Sequence, residues 1–181
     1  TISFAELRTK ADAVSQGLLD RGLNEYRPVM ILSSNSIDHA VLSVAAQQVG
    51  VTVVPVSPAY SLMSQDHSKV RHIFDLVKPG IIYAASADVF GPALASLDLA
   101  EIELVVSAPP PEGMTATMFT DLRTTSASGD VDAAFAAVGP DTMAKILFTS
   151  GSTGMPKGVI NTQRMMCANQ QMLTQVWPFL D

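Results

Sequence analysis

The chain has 181 residues, 48% of them apolar, enough for a substantial core and too many for wholesale disorder. Charged residues make up only 15%, and mean hydropathy is +0.27. Eleven basic against 17 acidic residues give a net charge of −6 with no Lys/Arg cluster, which argues against nucleic acid and anionic membranes as partners. No apolar run reaches the roughly 18 residues of a membrane span. The one cysteine, Cys167, excludes an intramolecular disulfide and fits a reducing, cytoplasmic setting.

Ser3-Phe4-Ala5-Glu6 is a capping box, and Leu7, Ala11, Val14 and Leu18 follow at helical spacing up to Gly22, a residue suited to the helix stop. Pro28 to Leu32 has the length and apolarity of a strand. Ser36 can cap a second helix with Ile37, Val41, Val44 and Ala45 inward and Gly50 as its end. Val51 to Val56 is β-branched and runs into a proline-bounded turn at Pro58. Val70, Ile73, Phe74 and Val77 mark a third helix, stopped by Pro79-Gly80. Ile81 to Ala84 reads as a strand, Ala87 to Leu97 as a helix and Ile102 to Val106 as another strand.

Helices alternate with short, wholly apolar strands, and that rhythm predicts an α/β fold with a mainly parallel sheet between helical layers. Residues 107–130 break it with Ala108-Pro109-Pro110-Pro111-Glu112-Gly113 and a Thr/Ser run, so they read as a connection holding at most one turn at Phe119 to Arg123. The expected division is residues 1–106 as a first α/β layer, 107–130 as that connection and 131–181 as a further unit. In this last unit Val131 to Val138 is helical, Ala144 to Phe148 and Gly158 to Ile160 are strands, and Thr162 caps a final helix. Both ends read as cuts in a longer protein.

Between the last two strands stands Thr149-Ser150-Gly151-Ser152-Thr153-Gly154-Met155-Pro156-Lys157-Gly158. Glycines let the backbone approach a bulky anion, freed N–H groups and hydroxyls can face phosphate oxygens, and Lys157 brings the countercharge. The common P-loop needs Gly-Lys followed at once by Ser or Thr, and Lys157 instead follows Pro156 and precedes Gly158. No G-x-G-x-x-G is present, which excludes the dinucleotide fingerprint. A lysine presented from a strand–loop–strand hairpin remains. Thr149, Ser150, Gly151, Ser152, Thr153, Gly154, Lys157 and Gly158 are the candidate phosphate-binding residues, and Lys157 is also the catalytic candidate.

Phe148 to Val159 resembles the phosphate-binding signature of the adenylate-forming enzymes: acyl-CoA synthetases, peptide-synthetase adenylation domains and luciferases. Phe4-Ala5-Glu6-Leu7 to Gly22 and Gly50 to Tyr60 are similar to that family's early segments. Val159 to Gln171 resembles feruloyl-CoA synthetases, although Gln163 stands where many relatives carry a histidine. The resemblance implies the N-terminal part of a layered α/β/α domain. It also implies a carboxylic acid, CoA and ATP as small-molecule partners, with Mg2+ carried on the ATP phosphates. The implied reaction forms an acyl-adenylate and pyrophosphate, then an acyl-CoA thioester, on an aromatic, hydroxycinnamic acid. A fatty-acyl-CoA ligase, a peptide-synthetase adenylation domain and a non-catalytic nucleotide-binding module are the alternatives. The family's adenine-binding segment, acidic magnesium residue and C-terminal lysine lie outside this sequence, so the 181-residue chain is expected to be inactive alone.

The remaining reactive side chains read as structural. His39, His67 and His72 lack metal-ligand spacing and are expected on helix faces or the surface. Cys167 is expected to be a helix-packing thiol, the methionines core filling, and Trp177-Pro178-Phe179 packing completed by missing chain.

Overall fold

A computed structural model describes residues 1–149, 154–177 and 179. Seven strands form one sheet: β1 (Val29–Leu32), β2 (Val53–Val56), β3 (Ile81–Ala84), β4 (Glu103–Val106), β5 (Thr117–Met118), β6 (Met143–Thr149) and β7 (Lys157–Thr162). Their spatial order is β5-β4-β3-β1-β2-β6-β7, parallel throughout except for the antiparallel β6–β7 pair.

Burial on both faces explains why the strands are apolar without alternation. Val29 and Ile31 face a core with α1 (Phe4–Asp20), α2 (Ile37–Gln48), α6 (Phe119–Arg123) and α7 (Gly129–Ala137). Met30 and Leu32 face a second core with α4 (Ser68–Val77) and α5 (Gly91–Leu94). The layered α/β/α architecture follows directly.

Local signals act where they were read. Ser3 Oγ accepts from the Glu6 N–H at 3.2 Å while Glu6 Oε2 accepts from the Ser3 N–H at 2.8 Å, closing the capping box. Gly22 and Gly50 end α1 and α2 with φ of +67° and +72°, a region costly for residues with a Cβ.

Four readings need correction. Ile37 and Val44 are exposed on α2, whose inward stripe is Val41, Leu42, Ala45 and Ala46. An unforeseen helix, α3 (Pro58–Leu62), follows β2, because proline at the first helical position costs no hydrogen bond. The helix expected over residues 87–97 shortens to α5, with Gly91-Pro92 at its start. Residues 107–130 are more than a connection: β5 pairs with β4, and Phe119 and Leu122 of α6 are 1% exposed within the first core. Two large apolar side chains among Thr, Ser and Pro suffice to fold the segment inward.

Arg21, past the end of α1, forks onto Glu103 of β4 at 2.8 and 3.1 Å, and Thr117 of β5 donates to the same carboxylate at 2.7 Å. Burial works against the Glu103 charge, but the hydrogen bonds from Arg21 and Thr117 outweigh it and hold the carboxyl below its ordinary value of 4.5. A carboxyl with a lowered folded pKa contributes stability above its unfolded value and loses it as pH falls through the folded one. Glu103→Gln is expected to cost about 1 kcal/mol at pH 7 because the group is partly solvated. The gap to the parent should close as pH drops below about 4.5, measured by urea unfolding across pH. A gap independent of pH would exclude this role.

Candidate functional site

In parallel sheets ligands gather beyond the carboxyl ends of the strands, beside the strand where winding reverses. That strand is β1, with β2 and β3 on its two sides. An open cleft of about 660 Å³ lies at this edge, lined by Ser33, Ser34 and Asn35 after β1, Pro55 to Pro58 at β2, and Leu147, Phe148 and Thr149 closing β6. Sequence reading missed the first wall. Its signal was the polar run Ser33-Ser34-Asn35-Ser36, of which only Ser36 was recognised, as the cap whose Oγ accepts from the His39 N–H at 3.1 Å.

The candidate loop leaves this cleft from Thr149. Ser150, Gly151, Ser152 and Thr153 lie outside the described residues. On the return, Gly154 has φ +104°, a conformation L side chains rarely adopt, so glycine there serves the turn. Pro156 is buried, and Lys157 opens β7 directly opposite Thr149 in the ladder. Directly opposed residues project from the same face of a sheet, so hydroxyl and ammonium share one side of the hairpin. Both are exposed, and Thr149 lines the cleft.

Gly158 faces Phe148, and a Cβ there would lie 3.0 Å from Ile146 Cγ2 and 3.3 Å from the Phe148 ring. Glycine thus lets the two β6 side chains fold over β7 and pack onto the second core, which ties the hairpin to the sheet. Beyond the hairpin, Thr162 Oγ1 accepts from the Met165 N–H at 3.4 Å and caps α8 (Gln163–Val176) as expected. Gln163 donates from Nε2 to the Gln47 carbonyl at 3.2 Å, fastening α8 to the end of α2.

Of the three histidines, His39 and His72 sit on helix faces, and His67 precedes α4 in the left-handed region at φ +49°. His72 contacts the hairpin, donating from Nε2 to the Pro156 carbonyl at 3.0 Å. Nothing in the sequence signals a contact spanning 84 residues. Cys167 is exposed rather than packed, since α8 lies against the edge strand β7 and buries no residue. Met165 and Met172 are exposed on the same helix, and Trp177 and Phe179 are 48% and 78% exposed. Among the described residues no group of three His, Cys, Asp or Glu side chains could hold a metal ion, and no helix is long and apolar enough to cross a membrane.

The β6–β7 hairpin thus brings a hydroxyl and an ammonium together at the carboxyl edge of a mainly parallel sheet. The profile of the family described as AMP-binding enzyme matches residues 1–180. The chain belongs to that family.

Its AMP-binding relatives include 4-coumarate–CoA ligase-like 9 of Arabidopsis thaliana, 30% identical over 170 residues, covering 93% of this chain and 28% of that protein. ATP-bound MatB from Rhodopseudomonas palustris is 27% identical with a TM-score of 0.70, over 98% of this chain and 33% of that one. A benzoate CoA ligase from Burkholderia xenovorans LB400 shares the fold with a TM-score of 0.73 at 20% identity, over 98% and 32%. The chain thus spans a third or less of the length of these proteins, and its sheet corresponds to part of the N-terminal domain of adenylate-forming enzymes.

Proposed function

We infer that this chain supplies the ATP phosphate-binding part of a carboxylate–CoA ligase that forms an acyl-adenylate with release of pyrophosphate, then an acyl-CoA thioester. The observation that carries the reading is the β6–β7 hairpin, which sets Lys157 opposite Thr149, a residue of the cleft wall. Membership of the AMP-binding family and the similarity to an ATP-bound structure support it.

In this reading Thr149 and the hydroxyl and N–H groups of Ser150, Gly151, Ser152, Thr153 and Gly154 hold the β- and γ-phosphates. Gly158 keeps the hairpin closed against β6. Lys157 offsets the negative charge that grows on the leaving pyrophosphate, where a well-placed donor acts most strongly in the transition state. Mg2+ would be carried on the ATP phosphates, where it would neutralise charge. β7 and α8 carry exposed Val159, Ile160, Met165 and Met172, apolar surface onto which the rest of such an enzyme would pack. The 181-residue chain alone is expected to show no turnover, and the enzyme to work in the cytoplasm.

The proposed acid is aromatic, of the hydroxycinnamic class. The likeness to the 4-coumarate–CoA ligase-like protein supports an aromatic acid, and the run Val159 to Gln171 supports the feruloyl-type assignment. The test is ATP–pyrophosphate exchange by the full-length protein with hydroxycinnamates and straight-chain acids offered separately. Exchange is expected with the aromatic acids. Exchange with alkanoates alone would keep the ligase and reject the acid, and none with any acid despite ATP binding would leave a non-catalytic nucleotide-binding module.

A further inference from the structure

Pro156 is buried and stands one residue before Lys157, at the entry to β7. Proline has no N–H, so the carbonyl is its only main-chain hydrogen-bonding group. The β6–β7 ladder begins after it, at Lys157. The partner that the carbonyl finds is His72 Nε2 at 3.0 Å. A carbonyl oxygen only accepts, so the Nε2 atom carries the proton.

The peptide unit between Pro156 and Lys157 is planar, and its C=O and N–H are one rigid body. Fixing the Pro156 oxygen therefore fixes the direction in which the Lys157 N–H and Cα leave the turn. His72 stands on a firm base for that task, because its neighbours Val70 and Ile73 on α4 are 0% exposed in the second core. Ile146 and Phe148 of β6 pack on the same core, so α4 and the hairpin share one support.

We propose that His72 is a positioning residue for the phosphate loop, orienting Lys157 through the Pro156 carbonyl for the β- and γ-phosphates of a nucleoside triphosphate. The proposal rests on the phosphate-binding reading above.

In the full-length protein, His72→Ala and His72→Asn are expected to weaken binding of Mg-ATP and of pyrophosphate about fivefold by calorimetry, the scale of one lost hydrogen bond. The KM for ATP in pyrophosphate exchange should rise by the same factor, with the KM for the acid and the unfolding midpoint unchanged. Glutamine places an N–H donor where imidazole has Nε2, so His72→Gln should return both values to within about twofold. His72→Gln as weak as His72→Ala, or equal movement of the acid's KM and the midpoint, would overturn the proposal. Wild-type protein that binds Mg-ATP yet shows no exchange overturns the ligase reading, and the affinity series then decides the role of His72 by itself. Wild-type protein that binds neither ATP nor pyrophosphate overturns both.

Discussion

Lys157→Ala in the full-length protein is expected to lower the rate of acid-stimulated ATP–pyrophosphate exchange by about 10²–10³-fold, the loss seen when one donor to a developing negative charge is removed. The argument starts from placement. Lys157 is exposed at the start of β7, opposite Thr149, and has no salt-bridge partner among the described residues. An exposed side chain with no core contact contributes little to folding, so the variant should unfold within about 0.5 kcal/mol of the parent. A large loss of rate with unchanged stability is thus the signature of charge acting on bound phosphate. Lys157→Arg should recover part of the rate, since the charge returns but a planar fork replaces a compact point charge. Exchange by Lys157→Ala within about threefold of wild type would remove the lysine from the chemistry and leave only a nearby cation.

The hairpin that carries the candidate site was legible in the sequence to the extent that it is local. Ten consecutive residues, Thr149 to Gly158, carry turn glycines and charge between the strand signals of Ala144 to Phe148 and Gly158 to Ile160, so the hairpin can be read from one stretch of sequence. Its surroundings could not. The wall formed by Ser33, Ser34 and Asn35 is distant in sequence and becomes a neighbour only because β1, β2 and β6 end at one edge of the sheet. His72 reaches Pro156 only because the helix joining β2 to β3 crosses the face on which β6 packs. Strand order decides both contacts, and strand order leaves no mark in any short window of residues.

The fold divides along the same line. Strands buried on both faces announce themselves as apolar runs, and Ile81 to Ala84 begins and ends where its composition suggests. Helices with caps are equally plain. Residues 107–130 fail the test because their buried content is two side chains, Phe119 and Leu122, one turn apart in a stretch of Thr, Ser and Pro. Periodicity needs several repeats to show, and a five-residue helix offers one. Composition therefore pointed outward while packing pointed inward. At the far end the error was reversed. Cys167, Met165 and Met172 of α8 look like core residues, yet the edge position of β7 leaves them exposed in this chain.

Two phenylalanines separate the composition reading from the packing reading by stability alone. By composition, Phe119 lies in a loop-like connection and Phe135 in a helix, so loss of Phe135 should matter more. In the structure Phe119 is 1% exposed and Phe135 63% exposed. The Phe119 ring meets Tyr83 edge-on, with centroids 5.3 Å apart and planes at 60°. Tyr83 in turn donates to Ser107 Oγ at 2.7 Å, Ser107 to Asp38 Oδ2 at 2.6 Å, and Arg123 of the same helix as Phe119 reaches Asp38 Oδ1 at 3.0 Å. Burial pushes the Tyr83 phenol above its ordinary value, so it remains the neutral donor this chain of contacts needs. Phe119→Ala should therefore empty a filled site and loosen α6 together with its ion pair. The expected cost is about 3–5 kcal/mol in urea unfolding, a large share of a typical domain's stability of about 5–15 kcal/mol. Phe119→Leu keeps most of the volume and should cost about 1.5 kcal/mol or less, which gives a folded variant to measure should the alanine fail to fold. Phe135→Ala should cost under about 1 kcal/mol. If the Phe135 variant proves the weaker of the two alanine variants, α6 is not part of the core and the segment is the connection that its composition suggests.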